Sequence, residues 1–310
     1  MKKINIFPIL ASLILTTSCN QMKEEEVLEI GMKSCKTIAP FIQKLGASAA
    51  NTAFSSTENN TKGIVLIDVT KNYNDSNRKV FADSSWKKFG YMGAITTDDK
   101  GNTYTAAIPF VNTLDLPYEK MNIVYKIDAI TGKMEVFCAL PKPAKSDGMV
   151  PFAILGIYFD CHSKKLYVSS VATSNSEEER GVIFVVDVAT AKVIDTLSGY
   201  DAIGIFVGGN TGIKQLYFGS ARTSNIYSVE LNKNGRFRTK NCVKEISLDN
   251  LGSRGNDKAR RIRYDQYGNL VIQGIDFNYN LAAQTNKLET GYKFVYNVDK
   301  KIWEFASILQ

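Results

Sequence analysis

From Ile64 to Phe305 the hydrophobic positions come in short alternating runs, cut by clusters of Gly, Asn, Asp, Ser and Lys. An apolar residue at every second position over about four to eight residues marks a strand lying against a core, and the polar clusters mark turns. The runs come in pairs. One series reads GAITTDDKGNTYTAA from Gly93, GIYFDCHSKKLYVSS from Gly156, GIFVGGNTGIKQLYFGS from Gly204 and RIRYDQYGNLVIQG from Arg261. A second series follows each of these: IVYKIDAITGKMEVF from Ile123, IFVVDVATAKVIDTL from Ile183, IYSVELNKNGRFR from Ile226 and FVYNVDKKIWEF from Phe294. A fifth copy, IVLIDVTKNYNDSNRKVF from Ile64, precedes them all. Its Asn72, Asn74, Asp75 and Asn77 tolerate positive φ or bond their own backbone, as a hairpin tip requires.

Two hairpins per unit make a four-stranded sheet that cannot bury both faces alone, whereas copies arranged around an axis can. The pattern predicts an all-β chain, a β-propeller of four-stranded blades with five repeats countable. The second-series strands recur at intervals of 59, 60, 43 and 68 residues, a variation that loops absorb. A Greek-key β-sandwich is the competing reading, but it has no reason to repeat this turn pattern. The run KKLYVSS with GVIFVVDVATAKVIDTL resembles the YVTN-type surface propeller repeat. GAITTDDKGNTYTAA and RIRYDQYGNLVIQG resemble the first strands of NHL and SMP-30/gluconolactonase-like blades. The resemblance spans residues 50–310. NHL-like and SMP-30-like propellers usually have six blades and YVTN-like ones often seven, so the resemblance leaves the blade number open, six being compatible with an irregular blade before residue 60 or inside the longer intervals.

Lys2 and Lys3 precede an apolar stretch over residues 4–15, then Thr16, Thr17, Ser18 and Cys19. A short basic region, an apolar core too short to span a bilayer comfortably and small residues before a cysteine form an export signal. The stretch resembles a bacterial lipoprotein signal peptide, although Thr16 stands where that family carries an aliphatic residue. The resemblance implies a signal over residues 1–18, lipidation at Cys19 and an outer membrane lipoprotein, periplasmic or cell-surface facing. Lys23 followed by Glu24, Glu25 and Glu26 is similar to the surface-export signal of some Gram-negative lipoproteins; a solvated charged tether accounts for it equally well. Residues 19–49 read as a tether with a short helix over residues 25–36, ended by Pro40. The propeller domain is expected over residues 50–310.

Net charge is +7 and becomes +5 once Lys2 and Lys3 are removed, a mild basicity that favours anionic partners. Basic residues are interspersed with acids and form no aromatic-basic platform, so nucleic acid is not an expected partner. Four cysteines besides Cys19 (Cys35, Cys138, Cys161 and Cys242) allow three pairings in an export-competent protein, with free thiols equally open. The one histidine, His162, falls in a hairpin turn, which disfavours a Ser-His-Asp triad and a multi-histidine zinc site. Gly208, Gly209, Asn210 and Gly212 form a turn without the Lys-Ser/Thr of a phosphate-cradling loop. No cofactor is expected.

The SMP-30 resemblance implies a divalent cation held by carboxylates and asparagines at the axial mouth. The asparagine before each inner strand is replaced here by Met92, Leu155, Ile203 and Arg260. At the end of the second inner strand only Asp276 is acidic. Lys258, Arg260, Arg261 and Arg263 enter the last inner strand, where Arg261 and Arg263 project to one face. With Arg222 they form a candidate fork for an anionic group; ion pairing with Asp201, Asp257, Asp265 or Asp276 is the structural alternative. Tyr118, Phe277 and Tyr279 are candidate covers. The expected function is a lipid-anchored, exported and non-catalytic binding module. It would act as a protein-interaction scaffold or capture an anionic small molecule or glycan for an outer-membrane transporter or another surface protein. A metal-dependent SMP-30/gluconolactonase-like hydrolase is the alternative.

Overall fold

A computed structural model describes residues 31–32, 37–48, 51–56, 62–72, 75–108, 120–142, 152–172, 174–175, 177–209, 212–279 and 288–309. Five antiparallel sheets stand in a ring as the blades of a β-propeller. The first blade has three strands, β1 (Thr52–Ser55), β2 (Val65–Asp68) and β3 (Lys79–Phe81). The other four have four strands each, ordered along the chain. They are β4 (Met92–Thr97), β5 (Thr103–Ala107), β6 (Ile123–Ile127) and β7 (Met134–Ala139), then β8 (Ile154–Asp160), β9 (Lys165–Ser170), β10 (Val182–Asp187) and β11 (Lys192–Ser198). The fourth blade holds β12 (Ala202–Gly208), β13 (Gln215–Ser220), β14 (Asn225–Glu230) and β15 (Val243–Ser247). The fifth holds β16 (Lys258–Tyr264), β17 (Leu270–Ile275), β18 (Thr290–Asn297) and β19 (Ile302–Leu309). The paired runs of the sequence are these hairpins. The blade number that the sequence leaves open is five, and the correction concerns strand count: the copy from Ile64 is the first blade, which has three strands, with β1 before residue 60, in place of four.

Burial explains which runs are continuous and which alternate. β12 reads AIGIFVG and is buried at every position, because an inner strand has a blade on either side. The outer strand β11 is partly exposed along most of its length. Successive blades share apolar cores. Ile64 and Leu66 of the first pack with Tyr125 and Ile127 of the second. Tyr104 and Val124 pack with Ile157 and Phe159 of the third. Tyr167 and Ile183 pack with Ile205 and Val207 of the fourth, and Phe206 and Tyr217 with Ile262 and Tyr264 of the fifth. Among the described residues no such cluster joins the fifth blade to the first.

The hairpin turns are pinned by aspartates. Asp98 accepts from the backbone N–H groups of Lys100 and Asn102, and Asp265 from those of Tyr267 and Asn269. Asp160 accepts from the backbone of His162 and Ser163, and also holds the buried Lys214 ammonium of the next blade. Each supplies a local acceptor that closes the turn. His162 itself is exposed at its tip.

The amino-terminal segment runs across this hairpin-turn end. Gly31 lies against Phe206, Met32 against Gly268 in the β16–β17 turn, Ala39 against Gly101 in the β4–β5 turn and Phe41 against Gly132 in the β6–β7 turn. Most of the helix expected over residues 25–36 lies outside the described residues. Pro40 does not end a helix: it opens α1 (Pro40–Lys44), where a missing N–H costs nothing. Phe41 of α1 meets Phe54, Phe81 and Trp86, the last fully buried and donating from its indole to the Gly132 carbonyl.

Candidate functional site

The arginines of the last inner strand are built by register. When the inner strands are aligned, Gly156 and Tyr158, Gly204 and Phe206, and Arg261 and Arg263 take equivalent positions on the face toward the following blade. Ile262 and Tyr264, on the other face, pack into the fourth blade. A Cβ on Gly156 would stand 2.9 Å from the Ile203 carbonyl oxygen, and one on Gly204 would stand 2.5 Å from that of Arg260. The next inner strand passes directly over those glycines. At the fifth blade the glycine is replaced by Arg261, whose side chain is 56% exposed, and Arg263 beside it is exposed as well.

A bulge between Ala259 and Arg261 turns Arg260 out of the alternation. Arg260 and Arg261 then share one carboxylate, Glu289, at 3.1 and 3.6 Å. Arg261 also donates to the Gln273 side chain at 3.1 Å, and Lys258 donates to the Asn256 carbonyl. Burial and the adjacent Arg261 guanidinium push the Arg260 pKa down, opposed by Glu289. Arg263 makes no ion pair among the described residues. Cross-strand neighbours continue the face with Val271 and Lys293 beside Arg263, and Gln273 beside Arg261. Lys293 is paired with Asp265 at 3.1 Å. On this face Arg261 and Arg263 are exposed while Val271 is buried, and among the described residues Glu289 is the carboxylate beside the arginines. Two exposed guanidinium forks are suited to holding carboxylate, phosphate or sulfate oxygens.

Arg222 stands elsewhere and is occupied. Its Nε donates to the fully buried Asp201 at 2.6 Å, and its Nη2 donates to the carbonyls of Asn175 and Glu178. Asp201 also accepts from Tyr279 at 2.7 Å, from the Gly181 N–H at 2.8 Å and from Ser174. Burial and the bond to Asp201 push the Tyr279 hydroxyl pKa well up. The alternative pairing with aspartate is therefore what Arg222 adopts: it ties the β9–β10 and β17–β18 connections to the start of β12. Arg254 does the same in the fifth blade, donating to the buried Asp257, which also accepts from Tyr292 at 2.8 Å. Asp201 and Asp257 each precede an inner strand, a recurrence visible when the hairpins are aligned. Glu289 and Arg254 had no such signal, since both come from connections that vary in length.

Phe152, Phe277 and Tyr279 meet one another with ring centroids 5.5 to 5.7 Å apart and steeply inclined planes. These rings pack on Ile203, Ala221 and Ile275 at the loop end of the inner strands, so here Phe277 and Tyr279 build core. Tyr118 lies outside the described residues, as does Cys19. Met92 and Ile203, at the positions where the SMP-30 resemblance implies metal ligands, are buried in apolar clusters. Among the described residues no three His, Cys, Asp or Glu side chains gather into a metal-holding group. Cys161 is disulfide-bonded, while Cys138 and Cys242 are free. Burial pushes the Cys138 thiol up to about 11.

No protein-family model matches the chain, and no curated protein is similar to it. Solved structures are similar at low identity. A protein from Lactobacillus plantarum is 14% identical with a TM-score of 0.48, the match covering 84% of this chain and 69% of that one. Hydrazine synthase from Kuenenia stuttgartiensis is 11% identical with a TM-score of 0.47, over 83% of this chain and 62% of that one. An endo-arabinase from Bacteroides thetaiotaomicron is 17% identical with a TM-score of 0.40, over 71% and 80%.

Proposed function

We propose that the chain is an exported propeller, anchored by lipid at Cys19, that works by binding an anionic group at Arg261 and Arg263. It serves as a scaffold for, or captures a ligand on behalf of, another surface protein such as an outer-membrane transporter. The observation that carries this reading is the exposed pair of guanidiniums at alternate positions of β16, with Glu289 and Gln273 beside them. Desolvating guanidiniums without a partner is costly, so a surface that leaves them in water and adjacent to one another is prepared for an incoming anion.

Isothermal calorimetry with inorganic phosphate, citrate, polygalacturonate and acidic peptides tests it. At least one probe is expected to bind, with affinity falling as salt rises. The double charge reversal Arg261→Glu with Arg263→Glu is expected to weaken that binding by about a hundredfold, roughly 1.4 kcal/mol for each tenfold. Binding unchanged by the double reversal, or no binding of any probe, removes the proposal.

The tether is supported by the basic, apolar and small-residue regions before Cys19. Growth with labelled palmitate is expected to label the wild-type chain and to leave Cys19→Ser unlabelled; equal labelling excludes Cys19 as the lipid site.

A further inference from the structure

We infer that the anion taken up by Arg261 and Arg263 is an extended acidic peptide of a partner protein, docked as a strand along the face of β16 that looks toward the first blade. This rests on the anion-binding reading above and adds the class of ligand.

The position itself favours a polypeptide strand. In the third and fourth blades the same register positions face the backbone of the following inner strand, closely enough that Gly156 and Gly204 have no room for a Cβ. Among the described inner strands β4, β8, β12 and β16, only β16 has both of these positions exposed. An extended chain laid there follows the path that β12 follows past Gly156 and that β16 follows past Gly204. Arg261 in place of glycine keeps the visitor at side-chain distance, so its recognition is through side chains.

The charge specifies what those side chains are. Alternate residues of a strand recur roughly every 6.6 to 6.8 Å, so Arg261 and Arg263 present two forks at the spacing of carboxylates at i and i+2 of an extended peptide. Gln273, opposite Arg261, adds an amide to the same face. Lys293, next to Val271 on the same row as Arg263, extends the positive face away from the axis. Glu289 and Asp265 already occupy part of this charge, leaving Arg263 for the incoming acid. Bidentate Arg–carboxylate pairs supply both energy and orientation.

The test uses the full chain and three probes at fixed salt, read by fluorescence anisotropy. They are a ten-residue peptide alternating Glu with Thr, a peptide of the same composition with its glutamates in one block, and a polyuronate of comparable charge. The alternating peptide is expected to bind at least fivefold more tightly than the blocked one and more tightly than the polyuronate. Arg263→Gln is expected to weaken it by about tenfold. Arg261→Gln and Arg263→Gln are both exposed changes, and an unaltered thermal midpoint confirms the fold. Equal binding of alternating and blocked peptides overturns the strand geometry. Preference for the polyuronate, still lost in the arginine variants, overturns the peptide while leaving the anion site standing. Loss of no probe in the arginine variants overturns the anion site itself.

Discussion

A Cβ on Gly204 would sit 2.5 Å from one backbone oxygen and 2.6 Å from another, those of Arg260 and Ala259. Backbone cannot swing aside as a flexible side chain can, so Gly204→Ala forces the fourth and fifth blades apart. Urea denaturation is expected to show a loss of about 1–3 kcal/mol, the usual penalty of overpacking. The equivalent residue one blade later is Arg261, exposed and paired only at its tip, and Arg261→Ala is expected to change stability by no more than about 0.5 kcal/mol. The same register position is thus packing in one blade and surface in another. The triplets GIY, GIF and RIR align in the sequence, but their meaning depends on whether a strand passes overhead. Arg222 makes the same point from the other side. It resembles Arg261 as a basic residue near an inner hairpin, and the fold buries its fork against Asp201.

Among the elements, the turns carry a measurable signature. Partial burial pushes the Asp265 carboxyl upward, but hydrogen bonds from the Asn269 side chain, from the Asn269 and Tyr267 backbones and from Lys293 outweigh it and hold the pKa at about 2. Asp83, which caps the 3-10 helix Ser84–Phe89, is likewise brought to about 2: burial raises it, and Lys133 and Ser85 more than offset that. A carboxylate with a folded pKa below its unfolded value stabilises the fold above the unfolded pKa and loses that contribution as pH falls through the folded one. Stability is therefore expected to drop between about pH 5 and pH 2. Asp265→Asn is expected to flatten part of that drop, which urea midpoints measured across the range will show. The strands and hairpins were legible in the sequence because alternation and turn chemistry are local. Helix α1 was not: its five residues carry too little periodicity, and its place is set by Phe41 meeting the Trp86 cluster.

On the scale of the whole ring, four seams are closed by apolar cores, and among the described residues the seam between the fifth and first blades has none. The first blade has three strands and, among the described residues, an apolar core on one side only. Hydrogen exchange under native conditions is expected to release the β2 and β3 amides before those of β12 and β13, since local opening follows the density of buried apolar contact. Equal protection across all blades contradicts that ordering. The sequence by itself determined that the chain is all-β, that its strands come in repeated hairpins and which residues turn between them, because alternation, glycine and turn-forming side chains act over a few residues. It counted five copies but did not say whether a sixth was hidden, since blade number depends on how neighbouring sheets close around an axis. Only the tertiary structure decided that Arg222 is spent on Asp201 while Arg261 and Arg263 stand in water. Exposure is set by what lies across a seam, and that neighbour is far away along the chain.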